Sequence, residues 1–182
     1  MEENLKNINS KKADFFSELE TSMITFVAVI LIFVFIIAPS GVKQSSMFPT
    51  LHDGDGVLIY QFMYKPKCGD IIVSTQPNFI NHILVKRVIA TEGQTVDIDP
   101  VAHKVFVDGK ELDESYILEP IRTAGDIEYP ITIPKNKIFA MGDNRNGSMD
   151  SRDLRIGLID ERYIKGKVFF RFWPFKRFGV VK

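Results

Sequence analysis

The chain has 182 residues, of which 45% are hydrophobic, 12% aromatic and 25% charged, and its formal net charge is zero. This composition fits one globular domain with a small appendage and excludes collagen-like and disordered classes. Without a surplus of cations, nucleic acid is not an expected partner. One cysteine (Cys68) excludes an internal disulfide, and the spacing of His52, His82 and His103 does not fit metal ligands, so we expect no metal and no other cofactor.

An apolar run without any charge occupies residues 23–38. As a helix it rises about 24 Å, and flanking apolar residues extend it toward the ~30 Å of a hydrocarbon core. A core helix in so small a protein is rarely apolar on every face. A cleaved signal peptide usually starts with a short basic segment, whereas five acidic side chains and three lysines precede this run. The sequence therefore predicts an N-terminal segment at 1–20 and an uncleaved transmembrane anchor at 21–40.

The lysines around this anchor predict its orientation. Lys6, Lys11 and Lys12 precede the apolar run, and only Lys43 follows it closely. By the positive-inside rule, residues 1–20 are cytoplasmic and residues 41–182 are extracytoplasmic. We therefore expect a single-pass protein of the cell membrane.

The region after the anchor is typical of β structure, because short strand-like runs alternate with turn signals and no long helical periodicity occurs. The Asp108-Gly109 pair lies between two such runs and predicts a β-hairpin. Residues 97–137 are rich in polar side chains and proline, which suggests an inserted cap. The predicted fold class is mainly β: one transmembrane helix, then an all-β domain at 41–182 with a small β insertion at about 97–137. The clearest predicted strands are Gly56–Tyr60, Asp70–Ser74, His82–Ala90, Thr95–Ile98, Lys104–Val107, Lys137–Met141 and Lys167–Trp173.

The first stretch with chemical potential is Gln44–Leu51, just past the anchor. Here Ser46 precedes a turn that contains Pro49, so a nucleophilic hydroxyl could be presented on a fixed loop. Serine and proline are also ordinary linker residues after a membrane helix. Turn chemistry alone favours that structural interpretation.

The second stretch is the strand around Lys86. Strand alternation places Lys86 on the same face as Leu84 and Val88, so a lysine has apolar neighbours on its own side. Such a lysine often extends its amine to solvent at a sheet edge. The functional alternative is a desolvated amine: burial lowers a lysine pKa of ~10.4 by up to about 3–5 units, so that it can act as a general base for a serine.

The third stretch, residues 142–152, reads GDNRNGSMDSR and follows a predicted strand. Its many turn-forming residues fit an ordinary polar loop held by Asp–Arg pairs. Together, however, the anchor, the Ser-Met-x-Pro-Thr-Leu stretch at 46–51, Lys86-Arg87-Val88 and this loop occur in an order that resembles the membrane-bound type I signal peptidases of bacteria. The resemblance covers most of residues 20–182, and the single anchor is similar to the short Gram-positive form.

This resemblance implies a serine endopeptidase with a Ser/Lys dyad, in which Ser46 is the nucleophile and Lys86 the general base. The hydroxyl of Ser148 would orient the lysine amine. Asp150 and Arg152 would brace the site through an ion pair.

The resemblance also implies how substrate is bound. The backbone N–H of Ser46 would supply part of the oxyanion hole. Gln44 departs from the family pattern, and its amide could donate to the oxyanion instead or narrow the pocket. The substrate would pair as a strand beside Leu84 and Val85. Two further residues, Met47 and Leu51, are expected to contact it.

The implied partners are exported preproteins, which this family cuts after small residues of the Ala-x-Ala type. Sec-type export machinery and membrane lipid are expected partners as well. Apolar side chains would form a face toward lipid, with simple core packing as the alternative. These residues are Met47, Phe48, Phe62, Met63, Tyr64, Trp173 and Phe175.

Two departures from the family pattern bear on specificity. Gln44 stands where the family usually has glycine or serine, and residues 90–94 replace the usual Gly-x-Pro-Gly-Asp.

Two alternative functions stay open: a specialised processing peptidase with the same dyad, and an inactive homologue that binds preproteins.

Overall fold

The computed structural model describes residues 2–77 and 83–181, so the predicted strand position of His82 lies outside the described residues. The chain forms two compact units, Met1–Ile37 and Ala38–Lys182.

The first unit is a single long helix, α1 (Glu2–Ile36). Its segment Asp14–Ile36 has a mean hydropathy of 2.5, and none of its most apolar window is buried within protein. Among the described residues, this is the one helix long and apolar enough to cross a membrane. The hydroxyls of Thr21 and Thr25 donate to the carbonyls of Ser17 and Thr21, at 2.9 and 2.8 Å. These bonds satisfy polar groups that would otherwise be exposed on an apolar helix.

The second unit contains the β structure, which confirms the predicted mainly β fold class. An eight-stranded sheet has the order β1-β2-β11-β3-β4-β9-β10, with β12 paired to β11. A four-stranded sheet has the order β7-β6-β5-β8. The strands are β1 (Ile37–Gly41), β2 (Gly56–Tyr60), β3 (Ile71–Ser74), β4 (Leu84–Ala90), β5 (Thr95–Asp99), β6 (Lys104–Val107), β7 (Lys110–Glu111), β8 (Ile131–Thr132), β9 (Lys137–Met141), β10 (Ile159–Asp160), β11 (Ile164–Trp173) and β12 (Gly179–Val180).

Strand β11 organises the larger sheet, because it pairs antiparallel with β2, β3 and β12. It begins three residues earlier than predicted, since Ile164 already pairs with Ser74. Register shifts within β11 interrupt its pairing with both β2 and β3. Such irregularities bend a strand and let it serve several neighbours.

The smaller sheet lies in sequence between β4 and β9. Its β6–β7 hairpin turns at Asp108 and Gly109, with φ of 51° and 73°, and Val107 pairs with Lys110. The predicted Asp-Gly hairpin is confirmed, since this turn type needs positive φ at both central residues. Buried apolar side chains join this sheet to the ends of β4 and β9 in one core: Ile89, Ala90, Val96, Ile98, Val105, Ile121, Ile133, Phe139 and Met141.

A buried carboxylate ties the C-terminal part of the unit to the loop before β2. Asp55 is fully buried and accepts hydrogen bonds from Arg177 Nη2 at 2.6 Å, His52 N at 2.9 Å and Arg171 Nη1 at 3.3 Å. Burial alone would raise the pKa of Asp55, but the hydrogen bond from Arg177 and the neighbouring charges lower it. The Asp55 carboxylate is therefore the shared acceptor, called the buried hub below, that connects Arg171 and Arg177 to the loop before β2.

Replacing this hub should destabilise the fold. We expect Asp55→Ala to lower the free energy of unfolding by about 3 kcal/mol, because two arginines lose their buried partner. The control is Glu111→Ala, which removes an exposed ion pair with Lys104 and should cost less than about 1 kcal/mol. Denaturant titration of the detergent-solubilised chain measures both variants, and equal costs would contradict the buried-hub account.

Candidate active site

The predicted nucleophile lies in a turn that the core holds in place. Ser46 is half-buried, and the turn is closed by bonds from Phe48 N to Ser45 O at 3.1 Å and from Leu51 N to Met47 O at 2.9 Å. Met47 and Leu51 are 1% and 0% exposed and pack into the core of the larger sheet. These two residues therefore anchor the turn. The substrate contact predicted for them has no support here, because their side chains offer almost no accessible surface.

The structure brings Lys86 to this serine. Lys86 Nζ lies 2.7 Å from Ser46 Oγ, across 40 residues of sequence. All seven residues of β4 are buried, and Lys86 itself is only 4% exposed. Burial lowers the pKa of Lys86 to about 8, although the nearby carboxylates of Asp150 and Asp143 act in the opposite direction. The amine is thus close to a hydroxyl and near its titration point at neutral pH.

Asp150 and Arg152 form the predicted ion pair. Arg152 donates from Nε and Nη2 to the Asp150 carboxylate, at 2.8 Å each, and both side chains are buried. The same carboxylate accepts from Gly142 N at 3.0 Å, and Arg152 Nη2 also donates to Arg145 O at 2.6 Å. Burial alone would raise the pKa of Asp150, but the bonds from Arg152 lower it. The pair therefore stays charged and closes the loop at 142–152 on itself.

Ser148 lies at the site without the predicted hydrogen bond. Its Oγ is buried and has no hydrogen-bond partner in the described part of the chain. It packs directly over Gly142, where an added Cβ would collide with both Ser148 Oγ and Ser46 O. The hydroxyl thus stands beside the nucleophile turn, but the expectation that it orients Lys86 is not realised in this conformation and stays a prediction.

A second buried pair, Asp143 with Arg87, joins the loop at 142–152 to the turn at 45–51 that carries Ser46, which we call the nucleophile turn. The sequence predicted no role for this pair. Asp143 accepts from Arg87 Nε at 2.8 Å, from Arg87 Nη2 at 2.7 Å and from Thr50 Oγ1 at 2.5 Å. Asn144 N donates to Ser46 O at 3.1 Å. The available signal was Arg87, a second charged residue beside Lys86 in an otherwise apolar strand, because a buried guanidinium needs a carboxylate partner.

A cleft of about 910 Å³ opens at the dyad. Gln44 lies on its wall with φ of 71°, and its backbone N donates to Asp53 Oδ1 at 2.7 Å. The backbone N–H of Ser46 has no acceptor among the described residues. Both residues predicted to supply oxyanion donors therefore line the cleft. Its lining residues are Gly41, Lys43, Gln44, Ser45, Ser46, Asp53, Ile83, Leu84, Val85, Lys86, Gly147 and Met149.

One edge of the cleft is a strand edge that has no partner strand among residues 2–77 and 83–181. β4 pairs with β3 from Leu84 to Arg87, but with β9 only from Arg87 onward. Val88 exchanges both of its backbone bonds with the segment before β3. Since backbone groups alternate in direction along a strand, those of Ile83 and Val85 point to the opposite side, which faces the cleft. An extended peptide can pair there.

Comparison with known proteins identifies the family. The sequence pattern of the family described as "Signal peptidase, peptidase S26" matches residues 16–173. This chain belongs to that family. The type I signal peptidase resemblance is confirmed, and the chain is an endopeptidase of the signal-peptidase type that acts in signal-peptide cleavage.

Relatives match most of the chain. The chain is 36% identical to a probable signal peptidase I-1 of Synechocystis over 86% of its own length and 82% of the relative. It is 34% identical to a signal peptidase I of Bacillus licheniformis, over 91% of its own length and 92% of that protein. A thylakoidal processing peptidase of Arabidopsis thaliana is 33% identical, over 87% of this chain and 48% of that protein. A crystal structure of a signal peptidase I from Enterococcus faecalis has a TM-score of 0.47 and 26% identity, covering 57% of this chain and 97% of that one.

The buried amine should cost stability in a pH-dependent way. The folded-state pKa of about 8 lies below the unfolded value, so the charged amine destabilises the folded state. This destabilisation is complete below pH 8 and disappears as pH rises toward ~10.4. Replacing Lys86 by methionine should therefore raise the free energy of unfolding by about 2 kcal/mol at pH 6.5, after loss of one hydrogen bond, and by progressively less above pH 8. Denaturant titrations at several pH values measure this.

The matched control for this prediction is Lys110→Met, an exposed lysine of β7, which should leave the pH dependence of stability unchanged. A Lys86→Met variant that is less stable than the wild type at pH 6.5 would show that the amine is charged and well solvated.

Proposed function

We propose that this chain is a membrane-anchored Ser/Lys endopeptidase that removes signal peptides from exported preproteins after small residues of the Ala-x-Ala type. The observation that supports this most is the 2.7 Å approach of a buried Lys86 amine to Ser46 Oγ. A nucleophile and a base within hydrogen-bond reach are what covalent catalysis by serine needs.

In the proposed reaction, neutral Lys86 accepts the Ser46 hydroxyl proton while Oγ attacks the scissile carbonyl. The Ser46 N–H and the Gln44 side-chain amide donate to the oxyanion that develops. The lysine ammonium then protonates the leaving amine, which releases the mature protein and leaves an acyl-enzyme on Ser46. In the second half, Lys86 takes a proton from water as the water oxygen attacks the acyl carbon, and it returns that proton to Ser46 Oγ as the C–Oγ bond breaks and the signal peptide leaves.

The unpaired edge of β4 supports binding of substrate as an added strand. A peptide that pairs with Ile83 and Val85 would place its scissile carbonyl near the dyad one residue further along. Alternate side chains of such a peptide point the same way, so the residues one and three positions before the cut face one wall. Leu84 and Met149 contribute apolar surface to the cleft, in keeping with small apolar substrate side chains.

Asp150 and Arg152 act in this proposal by holding the loop that covers the lysine. Their charges act on Lys86 in opposite directions, since Asp150 raises the pKa of the amine and Arg152 lowers it. Ser148 would act as a positioning residue, because its buried hydroxyl lies beside the nucleophile turn and has no hydrogen-bond partner among the described residues.

Membrane anchorage by α1, with residues 1–20 in the cytoplasm and the β unit outside, is the proposed topology. It rests on the apolar span Asp14–Ile36 and the lysines that precede it. Sec-type export machinery would deliver the substrates. Part of the predicted apolar face is exposed and would contact lipid, whereas Met47 is buried in the core and Tyr64 donates to Asp70 at 2.8 Å. The exposed members are Phe62, Met63, Trp173 and Phe175.

A cleavage assay with purified protein in detergent and an Ala-x-Ala preprotein tests the proposal. We expect Ser46→Ala and Lys86→Arg each to lower kcat/KM by at least about a thousandfold, because one lacks the nucleophile and the other keeps its proton at any usable pH. Ser148→Ala should lose about tenfold, since it removes a positioning contact. Leucine at positions −1 and −3 of the substrate should prevent cleavage.

The matched controls are Ser45→Ala, the exposed neighbouring serine, and replacement of all three histidines (His52, His82 and His103), which should all leave most activity. Activity in Ser46→Ala, or its loss when the histidines are removed, would contradict the Ser/Lys assignment. A wild type that binds the preprotein without cutting it would identify an inactive binding homologue.

A further inference from the structure

A long connection between β7 and β8 follows the catalytic loop along its length. We call residues 114–126 the strap and residues 142–152 the catalytic loop. Backbone bonds join the two segments at both ends, from Leu118 N to Asp143 O at 3.2 Å and from Asp126 N to Arg152 O at 2.9 Å. Between them, Arg122 N donates to Asn146 Oδ1 at 3.0 Å. The strap therefore contacts the catalytic loop over nearly its whole course.

Side chains strengthen this contact. Glu114 forms an ion pair with Arg145, whose side chain is fully buried. Asn146 Nδ2 donates to Glu119 Oε1 at 2.9 Å and to Pro120 O at 3.0 Å. Each of these bonds fixes a catalytic-loop residue from outside the loop itself.

Tyr116 reaches further into the site. Its ring lies 4.0 Å from the guanidinium carbon of Arg87, the residue next to Lys86 in β4. Arg87 is the partner of Asp143, and Asp143 accepts from Thr50 in the nucleophile turn. A ring over a buried guanidinium is a favourable cation–π contact that also excludes water. The strap is thus linked through three side chains to the turn that carries Ser46.

Gly125 brings the backbones into contact at the other end. It has φ of 85°, and an added Cβ would lie 2.7 Å from Arg152 Cβ and collide with Arg152 O. Arg152 holds Asp150, whose carboxylate binds Gly142 N. Any larger residue at 125 must therefore displace either the strap or the arginine that braces the catalytic loop.

From these contacts we propose that the strap is a positioning element of the active site, in which Tyr116 and Gly125 align the Ser46 turn and the catalytic loop on Lys86. The effect on cleavage rests on the proposed function, whereas the effect on loop order does not. Small displacements of reacting groups, of about 1 Å, are enough to slow an enzyme by up to about a hundredfold.

Gly125→Ala with Gly109→Ala as its control tests the proposal. Both glycines lie in the region between β4 and β9 with positive φ, so both alanines meet similar backbone strain, but Gly109 has open space around its Cβ position. We expect Gly125→Ala to lower kcat for preprotein cleavage at least about tenfold with little change in KM, because groups that act in the chemical step are displaced. Gly109→Ala should keep kcat within about twofold, although its backbone strain also lowers Tm.

Tyr116 is tested with a conservative pair. Tyr116→Leu should lower kcat about tenfold, and Tyr116→Phe should restore most of it, because phenylalanine keeps the ring over Arg87. The matched control is Tyr163, which lies outside the strap and the catalytic loop and has its ring centre 5.9 Å from the guanidinium carbon of Arg162. Tyr163→Leu removes an aromatic ring beside an arginine elsewhere in the fold and should keep kcat within about twofold.

Hydrogen exchange separates this proposal from the proposed function. In the full chain, Gly125→Ala and Tyr116→Leu should speed amide exchange in the peptide that covers residues 142–152 several-fold, and Gly109→Ala and Tyr163→Leu should not. Faster exchange in a protein that cuts no preprotein would support the strap and reject the proposed function. Normal kcat and unchanged exchange in both strap variants would overturn the strap proposal.

Discussion

Lys86 carries its amine into a strand in which every residue from Leu84 to Ala90 is buried. Burial of a charged amine costs free energy. Among the described residues Lys86 is the one buried lysine, and its amine lies beside the hydroxyl of Ser46. At pH 7 and a pKa of about 8, about one molecule in ten has a neutral amine, compared with about one in 2,500 for a free lysine. Desolvation thus supplies most of the free energy needed to make lysine a base.

Two buried Asp–Arg pairs keep that environment in place. Asp143 with Arg87 connects the catalytic loop to the nucleophile turn through Thr50, and Asp150 with Arg152 closes the loop on itself. Buried pairs of this kind add little net stability, but they are strongly destabilising when one partner is lost. They therefore hold the residues around the Lys86 amine in place, and the lowered pKa of that amine depends on the exclusion of water.

Much of this arrangement was predictable from local patterns. The strand-like pattern around Lys86 predicted β4 and the residues that share a face with Lys86, and Asp108-Gly109 predicted a hairpin. Both predictions follow from backbone geometry. The role of Met47 and Leu51 could not be read in this way: apolar residues after a nucleophile fit a substrate pocket and a core equally well, and only tertiary packing assigns them to the core. The unpaired hydroxyl of Ser148 and the contacts of the strap depend on distances between segments far apart in sequence, which no local pattern encodes.

The pH dependence of kcat/KM, measured together with the titration of Lys86 by NMR of isotopically labelled lysine, tests the central claim most directly. A buried base predicts that cleavage falls tenfold per pH unit below about pH 8 and that the Lys86 signal titrates at the same pH. An acid limb near ~10.4, the ordinary lysine value, or a Lys86 signal that titrates there while cleavage proceeds normally at pH 8, would show that Lys86 is solvated and that another group is the base.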